Sequence, residues 1–288
     1  FISKSFGYLI RIVIHSFDQS FLDKEIFLIF FFAMNIIDWI AFFLALIIQV
    51  LLFSRGHNFN KSFISFSALF VYFGLIIFLI MVISEYHLSI NKKFQDMLVL
   101  KDIFSNQNII PIITIAGTIF AYFSVIIVNF GDFSRYVKND EELKKGNLSL
   151  ILNLIIFSFL SVFIVTGSDV FLNQKFSDMD RIFTNPTDII GKFDNMQITI
   201  IVLFFIIVAS ASTNLAANYI PSQYSLINFA PSKLSLKSAS YVISSLGLLI
   251  AIFWLTLLSQ IGILSFIDTF SAFFGPLFGV MAADYYLI

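Results

Sequence analysis

Ala209, Ser212 and Thr213 stand at i, i+3 and i+4 in a segment that carries no charge, so on a helix they share one face. Two hydroxyls and a main-chain carbonyl on one face suit a hard cation that takes oxygen ligands. They belong to a longer polar cluster. From about Ile198 to Val208 the chain is almost purely apolar, and Ser210, Ser212, Thr213, Asn214 and Asn218 then follow within nine residues. An unpartnered amide or hydroxyl in hydrocarbon costs about 2–7 kcal/mol, so the cluster needs neighbouring helices, water, an ion or a ligand. At 3.6 residues per turn Asn218 falls about 180° around the helix from Ala209. Ser210 and Asn214 read as helix-packing residues.

Ionisable residues in apolar surroundings are the next candidates, because the bilayer tolerates them mainly where they function. Asp38, Asp169 and Asp268 qualify, with Asp284 at a helix end. Asp38 and Asp169 lie close enough to predicted boundaries to be interfacial, and for Asp169, beside Gly167-Ser168, that is the favoured reading. Asp268 reads either as a structural hydrogen-bonding group or as a proton-coupling acid. In Asn129-Phe-Gly-Asp-Phe-Ser-Arg-Tyr136, Asp132 and Arg135 are three apart and can pair, and Ser134 can satisfy freed carbonyls. That segment is a gate-like charge pair or a well-capped helix end. Gly275, Pro276 and Gly279 in Phe274-Gly-Pro-Leu-Phe-Gly-Val280 permit close packing or a hinge. His15, His57 and His87 read as loop residues with no hydrolase-like pattern around them, and neither a phosphate-binding glycine loop nor a metal-ligand spacing occurs. Nothing here supports an enzyme.

The elements that must hold these residues are membrane helices. The 288 residues are 59% hydrophobic and 12% charged, against about 25% charged in an average soluble domain. A net charge of −1 suggests no nucleic-acid partner, and the absence of cysteine excludes disulfides and thiolate metal sites. Stretches long enough to span occur at roughly 32–54, 62–84, 109–130, 148–172, 198–220, 237–258 and 263–286. Residues 1–24 read as the end of a helix and an amphipathic connector. Loop 85–108 has room for a surface or re-entrant helix, and loop 173–197, with Asp178-Met-Asp-Arg181 and Pro186-Thr-Asp188, for a short surface helix. Pro231, in Asn228-Phe-Ala-Pro-Ser-Lys233, predicts a helix boundary. Loops 54–61, 131–147 and 221–236, with Arg55, Lys61, Arg135, Lys138, Lys144, Lys145 and Lys233, should be cytoplasmic by the positive-inside rule. The chain starts with Phe and looks like a piece of a longer protein.

Taken in order, Asn129-Phe-Gly-Asp-Phe-Ser-Arg-Tyr-Val-Lys138, Ser212-Thr-Asn-Leu-Ala-Ala-Asn218, Asn228-Phe-Ala-Pro-Ser-Lys233 and Phe274-Gly-Pro-Leu-Phe-Gly-Val-Met-Ala-Ala-Asp-Tyr-Tyr286 resemble the nucleobase–cation symporter family, and Arg55-Gly56 matches a further signature. The resemblance implies an all-α membrane protein, a fragment of a five-plus-five inverted-repeat (LeuT-like) transporter. Residues 1–108 would hold the end of the third span with the fourth and fifth, and 109–288 the second repeat, spans six to ten. It further implies a partial sodium site at the Ala209 carbonyl and the Ser212 and Thr213 hydroxyls. The substrate would meet the amide of Asn218 and the segment Ala121-Tyr122-Phe123, where Phe123 stands in place of the family's indole and would stack on a planar ring. Asp132, Arg135, Gly275 and Pro276 would be structural or gating residues.

The expected activity is cation-coupled uptake of a nucleobase, allantoin or hydantoin-like compound by alternating access, in a bacterial-type inner membrane. The expected partners are a small-molecule substrate, sodium as the coupling ion and the lipid bilayer, with no other cofactor and no particular oligomeric state. The rival readings are a same-fold symporter for another solute, such as an amino acid or thiamine-like compound, and a polytopic membrane protein whose small polar residues only pack helices.

Overall fold

A computed structural model describes residues 2–32, 34–97, 105–175, 186–192, 195–256 and 262–287. Helix accounts for nearly all regular structure among them, apart from an isolated bridge between Phe31 and Met34. The α-helices are α1 (Ile2–Phe17), α2 (Glu25–Leu28), α3 (Ile36–Phe53), α4 (His57–Met97), α5 (Asn106–Val128), α6 (Phe130–Ser134), α7 (Asp140–Lys175), α8 (Pro186–Ile190), α9 (Met196–Asn214), α10 (Ile220–Phe229), α11 (Leu236–Thr256) and α12 (Ile263–Leu287). A short 3₁₀ turn, Gln19–Asp23, follows α1, and a π-helical turn, Leu215–Tyr219, joins α9 to α10. Each predicted span overlaps a helix among the described residues, and those at 109–130 and 263–286 are not among the five below. Five stretches among the described residues are long and apolar enough to cross a bilayer: Ile36–Phe53, His57–Ile80, Asp140–Val170, Met196–Phe229 and Leu236–Phe253.

The chain divides into two compact units, Phe1–Met97 with Leu152–Ile250, and Leu98–Ile151 with Ala251–Ile288. In the first, α1 packs along α3 and α9, and α4 packs along α9. The core joins Phe78 of α4, Ile164 and Val170 of α7, Ile189 and Ile190 of α8, and Leu203 and Ile206 of α9. A smaller cluster of Phe53, Leu215 and Tyr219 lies further along α9, with the Phe53 and Tyr219 rings edge-on at 4.8 Å. In the second unit α5 packs along α12, where Phe120 meets Phe278 edge-on. On α7, Leu148, Leu152, Ile155 and Phe159 stay about half exposed, a surface that water disfavours and acyl chains accept.

Several boundaries differ from the sequence reading, each for a local reason. The α4 helix runs on to Met97 through residues read as a loop. The α7 helix starts at Asp140, because Asn139 accepts from the Glu142 N–H at 2.9 Å and three acids occupy the positive first turn. The short helix predicted on the surface of 173–197 is α8, and it is buried: Thr187, Ile189 and Ile190 are at most 1% exposed. It is held by Ser5 Oγ against Thr187 Oγ1 at 3.3 Å and by Lys4 on Asp188 at 2.5 Å. Asp178-Met-Asp-Arg181 lies outside the described residues. The span ending near Ile220 continues to Phe229, so the loop before α11 shortens to 230–235. The break at Pro231 stands, with Ala230 as the helix cap.

Candidate functional site

The site begins with Pro221. Proline has no N–H to donate and its ring clashes with the carbonyl four residues back, so an α-helix cannot run through it undisturbed. The chain widens by one turn instead: the Ile220 N–H bonds the Leu215 carbonyl, five residues back, and Pro221 opens α10. Such π turns break the regular phase of side chains and recur at functional positions. Asn218 lies within this turn, so the half-turn separation from Ala209 expected of an unbroken α-helix no longer applies.

On the last turns of α9 the Ser212 hydroxyl donates to the Ala209 carbonyl at 3.0 Å, and both residues are half-buried. Thr213, next along, is exposed. Two of the three oxygens read as cation ligands are therefore in contact already. A cation held there would need the Ser212 proton to turn away and further oxygen ligands from outside this helix, so these oxygens could form only part of a site.

A second network was not legible in the sequence. Asn218 Nδ2 donates to Asn214 Oδ1 at 3.0 Å, Asn214 Nδ2 donates to Gln49 Oε1 at 2.5 Å, and Gln49 Nε2 donates to the Ala45 carbonyl at 3.2 Å. This amide ladder runs from α3 to the π turn. Asn214, which reads as packing from the sequence, is its central rung, and Gln49 belongs to none of the sequence motifs. The available signal was Gln49 itself, an amide in a helix that is otherwise apolar from Trp39 to Phe53. Asn218 is exposed and has ring-edge hydrogen-bonding capacity left over once this one N–H is used.

In the second unit Ala121 is 4% exposed, its carbonyl accepts from Ser124 Oγ at 2.7 Å, and Phe123 is half-buried on the same helix. The side chains of Tyr122 and Asp268 lie outside the described residues. Arg135 pairs with Asp132 as the spacing predicts, and Ser134 Oγ donates to the Gly131 carbonyl at 3.4 Å. Gly275 and Pro276 lie inside an unbroken α12, and a side chain at Gly275 or Gly279 would meet nothing within 4 Å, which leaves close packing without support at these glycines.

The acids divide. Asp38 takes the Arg11 guanidinium at 2.7 Å, and Asn35 Oδ1 accepts from both Arg11 and the Asp38 N–H, so Asp38 belongs to the capped start of α3. Asp169 is buried within α7, at 8% exposure, and Asp284 is exposed on α12.

Residues 25–288 match the family described as permeases for cytosine/purines, uracil, thiamine and allantoin. The chain is 28% identical over 171 residues to the allantoin permease of Bacillus subtilis, covering 59% of this chain and 33% of that protein. It is 24% identical over 168 residues to the purine-uracil permease of Arabidopsis thaliana (58% of this chain, 27% of that protein). It is 26% identical over 177 residues to a putative allantoin permease of Escherichia coli (61% and 35%). The matched part spans about a third of the length of these relatives. No solved structure matches significantly.

Proposed function

Because the chain belongs to the family of permeases for cytosine/purines, uracil, thiamine and allantoin, an integral multi-pass membrane family of five-plus-five inverted-repeat architecture, we propose that it carries spans four to ten of a secondary active transporter for a nucleobase-like or ureide compound. The observation that carries this reading is the amide ladder Gln49–Asn214–Asn218, which ends at a π turn in a charge-free membrane helix. A planar heterocycle with alternating N–H and C=O edges is complementary to an exposed amide held at one end by a fixed neighbour. The likeness to allantoin and purine-uracil permeases favours the same ligand class.

The coupling ion is sodium, held in part by the Ala209 carbonyl and the Ser212 and Thr213 hydroxyls one turn before the ladder. Binding there stiffens the end of α9 and so orders Asn214 and Asn218. Substrate and ion then favour the same conformation, and transport proceeds as the bundle alternates its exposure to the two sides. The membrane in this reading is the bacterial inner membrane.

Uptake of labelled uracil, cytosine and allantoin by the full-length protein, in cells lacking their own permeases and with or without sodium, tests this. One of the compounds should accumulate in a sodium-dependent way. Asn218→Ala should lower uptake at least tenfold, the scale of one lost hydrogen bond to substrate with an amide left unpaired. Ser212→Ala should raise the sodium concentration needed by a similar factor. Uptake of none of the three, or uptake indifferent to Asn218→Ala, would falsify the assignment.

A further inference from the structure

The amide ladder has a direction. At its α3 end stands a main-chain carbonyl, which can only accept. Ala45 is 3% exposed, so that carbonyl lies out of reach of solvent, and Gln49 Nε2 meets it at 3.2 Å. The contact leaves Gln49 one way to face, with its nitrogen toward Ala45 and Oε1 toward α9. Asn214 must then offer Nδ2 to Gln49, at 2.5 Å, and keep Oδ1 for Asn218, whose Nδ2 donates to it at 3.0 Å. Turning over Gln49 or Asn214 alone would set oxygen against oxygen on one side and N–H against N–H on the other. Both residues are half-buried, where unmet polar groups are costly, so the three amides keep one sense together.

The consequence falls on Asn218, the exposed last member. One of its two N–H bonds is used on Asn214, whereas both lone pairs of Oδ1 remain. What it offers a ligand is chiefly a carbonyl. A ring N–H placed opposite is satisfied, and a ring oxygen or unprotonated ring nitrogen placed there faces another acceptor.

We propose that Gln49 is a positioning residue that determines specificity. By taking the Ala45 carbonyl it fixes the sense of the ladder, so that Asn218 Oδ1 faces the substrate and selects a ring N–H over an acceptor. Gln49 acts through Asn214 and Asn218. The inference rests on the reading of Asn218 as a substrate contact.

Labelled uracil, cytosine or allantoin, whichever the full-length protein accumulates, is competed with unlabelled analogues of that compound in which one ring N–H at a time is replaced by oxygen. The exchange keeps the ring size and turns a donor into an acceptor. At the position facing Asn218, identified as the one where Asn218→Ala removes the effect, oxygen should weaken competition about tenfold or more in the unaltered protein. Gln49→Leu removes the anchor and lets Asn214 and Asn218 turn over. The loss at that position should then shrink to about threefold or less, while the parent compound competes nearly as before. Gln49→Met, close to glutamine in length and without an amide, should behave as Gln49→Leu does.

Gln49→Glu should retain the tenfold discrimination in either protonation state. The ionised carboxylate still accepts from Asn214 Nδ2, and the neutral acid can also donate its O–H to Ala45. A side chain that only filled space would not separate Gln49→Leu from Gln49→Glu. Discrimination unchanged in Gln49→Leu and Gln49→Met, or lost in Gln49→Glu as well, would overturn the proposal. Uptake indifferent to Asn218→Ala would sink the reading of the site itself. Discrimination that depends on Asn218 but ignores Gln49 would sink this inference alone.

Discussion

Asn214 divides its amide between two neighbours, donating to Gln49 on α3 and accepting from Asn218 in the π turn. That makes it a positioning residue for Asn218 rather than a ligand in its own right. Asn214→Ala leaves the Gln49 oxygen and one Asn218 N–H without this partner. It should destabilise the protein by about 1–3 kcal/mol, the cost of part-buried amides left unpaired, read as a lower unfolding temperature in detergent. Asn218→Ala should cost less stability and more uptake, because Asn218 is exposed and contributes to only one bond of the ladder. Equal stability losses in the two variants would show that the ladder does not rank its members in this way. The shared face of Ala209, Ser212 and Thr213 could be expected from i, i+3, i+4 spacing alone, whereas the phase of Asn218 could not, because the π turn intervenes. Asn214 and Gln49 could not, because 165 positions separate them and only folding brings the two amides together.

Between elements, the contact of α4 with α9 is set by a glycine that sequence reading passed over. A side chain at Gly74 would lie 2.5 Å from the Phe205 ring, and Phe205 itself stacks on Phe70 at 4.2 Å. Gly74→Ala therefore overpacks the pair and should cost about 1–3 kcal/mol. Gly117→Ala on α5, where nothing lies within 4 Å, should be neutral or slightly stabilising, as alanine is the better helix former. Thermal unfolding of the two variants decides it, and equal behaviour would contradict the packing described. The π turn is the second feature at this scale. Pro221→Ala removes the reason for widening the helix, so the variant should be at least as stable while uptake falls several-fold, because an α-helical path re-phases Asn218. Unchanged uptake would mean that the turn does not position the amide. Pro221 was visible from the outset, but it reads as the first residue of a loop until the helix is seen to continue beyond it.

For the molecule as a whole, the charge pattern predicts which turns face the cytoplasm, and the absence of cysteine allows a direct check. Single cysteines at Ser54, Asn139 and Ser232, in the turns before α4, α7 and α11, should all react with an impermeant thiol reagent only from the cytoplasmic side. Labelling of any one from outside would reverse that part of the topology. The sequence by itself determined the helical class and the family. These depend on runs of apolar residues about 20 long and on motifs that are contiguous in the chain, and neither needs knowledge of neighbours. Tertiary structure alone decided that Asp38 is an Arg11 partner at a helix cap, that α8 is buried and that Asn214 bridges two helices. It also decided that Gln223 of α10 bonds the Leu236 carbonyl and the Ser240 hydroxyl at the start of α11. Each of these depends on which residues meet across the bundle, and hydrocarbon enforces such meetings by penalising polar groups left alone without leaving a local sign of where the partner stands.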